Sequence, residues 1–318
     1  MSEDIIKIGV SSCLLGAKVR FDGGHKRDRF VTDIFGGFVQ FVPICPEVEV
    51  GMPIPRESVN LQGDYSAPSM IGYKTGEDWT ERMNQYSNER IRRDDVSELS
   101  GYILKKDSPS CGMERVKVYT KPGQSPTKQG IGLFARALML KYPYLPVEEE
   151  GRLNDPLLRE NFIIRVFAFK RLQNLYEKRF NRGEMVEFHT RHKYLLLAHN
   201  QAIYRDMGKL VAKLKEMQPA EFKRLYRDMF MTALSYKATV KKNTNVLQHI
   251  VGFLREHVTF VEKQSIMQTI DDYHKGLVPL VVPITLIAHF IERYDVPYIK
   301  DQIYLRPHPK ELMLRNHV

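Results

Sequence analysis

Three cysteines, Cys13, Cys45 and Cys111, are the only thiols among 318 residues, with 31 and 65 residues between them. Free cysteine is among the most buried residue types, so three unrelated core thiols are the plain alternative to a site. Their settings argue otherwise: SSCLLG, PICPEV and SPSCGM put Ser, Pro or Gly around each thiol. Core packing has no need of turn formers there, whereas a loop wrapping a ligand does. Three thiolates meeting in space would bind metal. Zinc held by three thiolates plus water or His is one reading, although paired C-x-x-C spacing is missing. A [4Fe–4S] cluster is another. It normally takes four thiolates, so three would leave one iron open as a Lewis acid suited to a sulfur ligand. Spacing alone does not choose between zinc and iron.

Each thiol follows an apolar run. IIKIGVSS (5–12), FVQFVPIC (38–45) and SGYILKK (100–106) read as strands. RDRFVTDIFGG reads as a short helix closing on Gly-Gly, and residues 51–78, rich in Pro, Gly and Ser, as a long loop. DWTERMNQYSNERIRRDDVSEL carries a helical charge pattern with Asp78 or Thr80 as N-cap, and GIGLFARALMLKYP is a further helix. This rhythm predicts an α/β N-terminal domain on a Rossmann-like parallel sheet. The carboxyl ends of such strands line one edge, the usual place for ligands. All three cysteines sit at or just past such ends and are expected to converge.

Beyond residue 150 no strand pattern is visible, and an all-α C-terminal domain is expected. A charged helical stretch (154–180) leads to Gly183 as a stop. Helices follow over 189–216, 219–236, 243–264 and 264–275, with a Pro-opened apolar helix at 278–294. The expected division is a catalytic domain over 1–155, a helical connector over 156–188 and a basic helical domain over 189–318. Charge divides similarly: residues 1–150 hold 20 Lys and Arg against 21 Asp and Glu, and residues 151–318 hold 28 against 17. A phosphate-rich partner accounts for that surplus. Arg205, Lys209 and Lys213 fall at i, i+4 and i+8 as a stripe, with Lys237, Lys241 and Lys242, and Arg191 and Lys193, as further groups. A single stripe is ordinarily a solvated face; the regional surplus is the stronger signal. His189, His192 and His199 resemble a metal set, but RNA contact or internal packing is preferred. No apolar run reaches the about 20 residues of a membrane span, and the acidic start MSEDIIKIGV is unlike a signal peptide. With too few cysteines for a disulfide scaffold, a soluble, cytoplasmic protein with no membrane partner is expected.

Jointly, SSCLLGAKVRFDGG (11–24), VPICPEVEVGMPIPRE (42–57) and KKDSPSCG (105–112) resemble the thiouracil desulfidase (TudS) family. HTRHKYLLLAHNQAIYRDMGKLV (189–211), KKNTNVLQHIVGF (241–253) and YLRPHPKELMLRNHV (304–318) resemble the helical YbgA-type domain fused to it in many bacteria. The two-domain form is similar to RudS-like tRNA 4-thiouridine desulfidases. The final block reaches Val318, so the chain reads as complete. The resemblance implies a [4Fe–4S] cluster on Cys13, Cys45 and Cys111 with one open iron, tRNA as partner, and Glu47 and Ser108 as catalytic residues.

Replacing C=S by C=O is formally hydrolysis without net redox change. Glu47, two residues after Cys45, is the expected base or water-orienting group; its bland role is to accept loop N–H groups. Ser108 is expected to contact the pyrimidine or the attacking water, and Ser110 to donate to a cluster sulfur. Asp22 is a base or ribose contact or, more simply, a turn residue before Gly-Gly. Lys105 and Arg56 offset cluster or phosphate charge or lie on the surface, and Asp107 is a turn former or a catalyst. Two rival readings stay open. One is a desulfidase of free thiouracil or thiouridine monophosphate, with the helical domain serving dimerisation. The other is a non-catalytic RNA-binding protein with structural zinc.

Overall fold

The strand-like runs of the first half do form a parallel sheet. A computed structural model describes residues 5–120 and 125–317 and divides the chain into two compact units, Met1–Asp155 and Pro156–Val318. The acidic start Met1–Asp4 and the terminal Val318 read above lie outside the described residues. In the first unit, β1 (Lys7–Ser11) pairs in parallel with β2 (Gln40–Ile44), Gly9 opposite Val42. After α1 (Pro46–Glu49) come β3 (Val59–Gln62), β4 (Ser69–Gly72), α2 (Thr80–Arg90) and α3 (Asp94–Ser97). β5 (Gly101–Leu104) pairs in parallel with the other side of β1. β6 (Val116–Tyr119), β7 (Thr127–Gly130), α4 (Leu133–Lys141) and β8 (Val147–Glu149) follow, and β8 closes a four-stranded parallel sheet of order β2-β1-β5-β8. Its centre is apolar on both faces: Ile8, Val10, Tyr102, Ile103 and Leu104 are all fully buried.

Several local expectations need correction. The loop over 51–78 contains β3 and β4, which join β6 and β7 in a second sheet of order β4-β3-β6-β7. It buries Val59, Leu61, Met70, Val116 and Val118 in a core shared with Met83 and Leu133. The helix read over 27–37 is a π turn at Phe30–Ile34 followed by a 3₁₀ turn. The helix read over 78–99 breaks after α2, because Arg90 turns in to pair with Asp95 through two bonds of 2.7 and 2.8 Å. At its start Asp78 Oδ1 accepts the Thr80 N–H, while the Thr80 hydroxyl accepts from Met70.

The second unit is helical throughout its regular structure. α5 (Pro156–Glu177) packs on a later helix, α9, and is followed by α6 (Arg182–Arg191), α7 (Lys193–His199), α8 (Gln201–Ala212) and α9 (Pro219–Ser235). Gly183 is not a stop. It lies in the first turn of α6, where the Asn181 side chain accepts its N–H at 2.8 Å. The single helix read over 189–216 is three, since Asn200 caps α8 by accepting the Ile203 N–H. α10 (Val240–Leu254) begins earlier than expected, with Thr239 as cap. α11 (Phe260–His274) starts at a Thr259–Glu262 capping box that interrupts the helix read over 243–264. α12 (Val281–Arg293) and the short α13 (Pro297–Lys300) complete the regular elements. No helix of the described residues is long and apolar enough to cross a membrane.

Candidate active site

Three neighbouring strands, β2, β1 and β5, deliver the three cysteines to one cavity of about 410 Å³. Cys13 lies in a 3₁₀ turn that begins one residue after β1, and Cys45 follows β2 as the N-cap of α1. Cys111 lies within the loop between β5 and β6, which leaves β5 at Leu104 and turns at Asp107, where φ is 59°. Asp107 thus takes the turn role, in the left-handed region that Asp tolerates better than most. Glu47, Arg56, Lys105, Ser108 and Ser110 line the same cavity; Asp22 does not. Asp22 is an exposed turn residue whose Oδ1 accepts the Gly24 N–H at 3.0 Å, with Arg20 at 3.5 Å.

The polar lining is one connected chain. Ser110 Oγ donates to Glu47 Oε1 at 2.7 Å and lies 3.0 Å from Ser108 Oγ. One hydroxyl proton cannot serve two acceptors, so with Ser110 donating to Glu47, Ser108 donates to Ser110. Ser110 Oγ is also 3.6 Å from Cys111 Sγ. Ser108 Oγ accepts the Cys111 N–H at 3.1 Å and so shapes the loop as well. The other Glu47 oxygen pairs with Arg56, through Nε at 3.1 Å and through Nη2. Arg56 is not a surface charge: its side chain is 5% exposed, and its Nη1 donates to the Val19 and Pro53 carbonyls. Lys105 is similarly enclosed, its ammonium 2.5 Å from Glu150.

Supporting residues that sequence reading missed surround this chain. Glu49 Oε1 accepts the Cys45 N–H, while its Oε2 holds Tyr86 and Arg90 on α2. The acidic run at the end of β8 is buried, not solvated. Glu148 pairs with Arg152, Glu149 accepts the Met113 N–H, and Glu150 holds Lys105 and the Lys106 N–H. The start of α4 grips the Cys111 loop from below. Gly132, Leu133 and Ala135 donate their N–H groups to the carbonyls of Gly112, Pro109 and Ser110. Gly-rich GIG before an apolar helix was the available signal for that contact.

Burial raises all three thiols. Cys13 is pushed up to about 11, with Lys105 the main opposing influence. Cys45 and Cys111 are raised too, with the Ser11 hydroxyl the main opposing influence on Cys111. Such thiols stay protonated until a cation repays their desolvation, which is how metal binding couples to deprotonation. Among the described residues no three His, Cys, Asp or Glu side chains close on a point that one ion could fill. The thiols instead line one cavity of about 410 Å³, and three soft donors on such a cavity fit a polynuclear iron–sulfur group.

The basic residues of the second unit sort differently. Arg191, Arg205, Lys209, Lys213 and Lys241 are exposed, although Lys209 pairs with Asp206 at 2.8 Å. Arg205 and Lys209 lie on α8, with Lys213 at its C-cap, so the stripe spans one helix and its end. Lys242 is occupied: its ammonium donates to the His199 carbonyl at 2.6 Å, the last residue of α7. Lys193 lies over the Tyr194 ring at 5.2 Å. The three histidines pack internally. His192 and His199 bond the Phe188 and Tyr236 carbonyls, and His189 meets the Tyr226 hydroxyl at 3.2 Å.

Comparison with known proteins falls on the same two segments. A family described as 2-thiouracil desulfurase matches residues 8–150, and a protein family of unknown function, DUF1722, matches residues 193–309. The uncharacterized protein YbgA of Escherichia coli (strain K12) is 33% identical over 158 residues, covering 49% of this chain and 94% of YbgA. The uncharacterized protein YbbK of Bacillus subtilis (strain 168) is 30% identical over 153 residues, 46% of this chain and 98% of YbbK. Among solved structures, the [4Fe-4S]-dependent thiouracil desulfidase TudS is 28% identical, with a TM-score of 0.38 over 47% of this chain and 94% of that one. Through residues 8–150, which hold every thiol and the Glu47–Ser110–Ser108 chain, this protein belongs to the 2-thiouracil desulfurase family and carries a DUF1722 segment behind it.

Proposed function

We propose that the chain removes sulfur from 4-thiouridine in tRNA, giving uridine and sulfide, at a [4Fe–4S] cluster held by Cys13, Cys45 and Cys111. One observation carries the reading: three thiols from adjacent parallel strands share a cavity with a hydrogen-bonded carboxylate. When bound, such a cluster supplies an iron without a protein thiolate, which is a Lewis acid for sulfur. The balance is C=S plus H₂O giving C=O plus H₂S, with no electron transferred. Glu47 accepts the proton of the attacking water. Arg56 and Ser110 fix the carboxylate from opposite sides, so its orientation does not depend on substrate. Ser108 offers a hydroxyl that reorients from Ser110 toward the pyrimidine edge, and Lys105 adds positive charge beside Cys13. The basic surplus of the second half supports an RNA substrate over a free base.

Anaerobic reconstitution followed by metal and sulfide analysis tests the cofactor: about four irons and four sulfides are expected, and zinc without iron would reject it. Incubation with thiolated tRNA and with free 4-thiouracil tests the substrate. Loss of thiocarbonyl absorbance from tRNA is expected; loss from the free base alone would leave a small-molecule desulfidase.

A further inference from the structure

An aromatic pair stands exposed on the helical unit with cations around it. Phe253 and Tyr298 are 40% and 46% exposed, yet their rings stack on each other at 5.1 Å and 26°. Neither sits on a frayed segment. Ile250, Val251 and Leu254 anchor the end of α10 in the core, and Ile299 does the same for α13. The Lys193 ammonium lies 6.0 Å from the Tyr298 ring centre; Arg255, the C-cap of α10, is exposed, as is Arg191 at the end of α6, whose Nε donates to the carbonyl of Asp301 at the C-cap of α13. A single exposed ring is ordinary, but two rings in contact at the surface and rimmed by cations form the kind of contiguous patch that marks an interaction site. Here the aromatic pair is preformed and partly exposed, and the flanking charge is positive. Every nucleobase has a π face, so stacking accepts any unpaired base, while lysine and arginine neutralise its phosphates. A duplex, whose bases are already stacked on each other, could use only the cations.

We infer that Phe253, Tyr298 and Lys193 form a stacking platform for an unpaired base of the RNA partner. The inference rests on the RNA reading above and makes it specific, since it assigns the second unit a preference for unstacked nucleotides over paired ones. That preference suits an enzyme whose target base must leave its stack before chemistry.

Fluorescence anisotropy on the full chain, with labelled oligouridylate and a blunt RNA duplex of equal length, tests it. The wild-type chain is expected to bind the oligouridylate, and Phe253→Ala/Tyr298→Ala to bind it about tenfold more weakly, the scale of one lost stacked base. Tyr298→Phe keeps the ring and is expected to match wild type, and duplex affinity is expected to be equal in all three. Undiminished oligouridylate binding by the double alanine variant would overturn the platform, as would a parallel loss of duplex binding. A wild-type chain that binds neither RNA would overturn the RNA reading itself, which separates the two failures.

Discussion

Glu47 is held by two neighbours, one on each oxygen: the Ser110 hydroxyl on Oε1 and the Arg56 guanidinium on Oε2. Glu47→Gln keeps the length and one acceptor but removes the charge that accepts a proton. Turnover is expected to fall by about a hundred- to ten-thousand-fold, the usual worth of a positioned base, with iron and sulfide content unchanged. Cys111→Ser is expected to lose the cluster itself. Equal iron loss in both variants would show Glu47 to be structural and remove it from the chemistry. That the thiols, Glu47 and Ser108 would share one cavity was legible, because each thiol stands among turn formers at the carboxyl end of an apolar run and the other two lie within three residues of a thiol. Glu148, Glu149 and Glu150 were not. A run of three acids ordinarily marks a solvated turn, and only the folded chain shows the basic and N–H partners that make its burial tolerable.

At the scale of elements, the start of α4 fixes the position of Cys111. A Cβ on Gly132 would lie 2.5 Å from the Ser110 carbonyl carbon and oxygen and 2.8 Å from Cys111 N, all backbone atoms that cannot rotate aside. Gly132→Ala is therefore expected to push the loop outward, costing about 1–3 kcal/mol of stability and lowering cluster occupancy. Gly208→Ala, inside α8 with nothing within 4 Å of the new Cβ, is expected to stabilise by about 0.4–1 kcal/mol. Thermal melts with iron analysis compare the two; full occupancy in Gly132→Ala would refute the contact's role. The parallel sheet was legible at β1, β2 and β5, which lie in apolar runs, and not at β8, which is only the three residues VEE. The second sheet was not, since VNLQ, SMIG, VKVY and TKQG are four residues each and sit among turn formers. Helix breaks at Asn200 and Thr259 were written in cap residues, which a periodicity count passes over.

The buried histidines set the helical unit's response to acid. Burial holds His189, His199 and His308 down to about 4, and holds His192 well below its usual range, with Arg171 adding to the effect. The unfolded chain takes up these protons near pH 6.5, whereas the folded chain refuses them until about 4. The unfolded state binds more protons in that window, so stability is complete above about 6.5 and is lost as pH falls toward 4. Trp79, the only tryptophan, lies in the first unit, so its fluorescence follows that unit while ellipticity at 222 nm is weighted toward the helical one. The urea midpoint by ellipticity is expected to drop between pH 7 and 5. An unchanged midpoint would mean that these rings gain protons without unfolding.

For the whole molecule, the thiols and their cavity are confined to one unit, whereas residues 151–318 carry 28 basic against 17 acidic residues. A small thiobase needs only the cavity; a tRNA also needs the basic surface. The two substrates should therefore respond differently to salt. Arg205, Lys209, Lys213 and Lys241 are exposed; if these side chains neutralise four phosphates, the slope of log K against log salt is about −3.6. That predicts about a hundredfold loss of kcat/KM for thiolated tRNA between about 50 and about 200 mM salt. Turnover of free 4-thiouracil, which displaces no condensed counterions, should stay nearly constant over the same range. Replacing Arg205 and Lys241 by Gln should reduce the tRNA slope by about two, since each phosphate contributes about 0.9, and leave the free-base reaction untouched. Equal salt responses for the two substrates would mean that the basic half does not hold RNA during catalysis, and its surplus charge would need another partner.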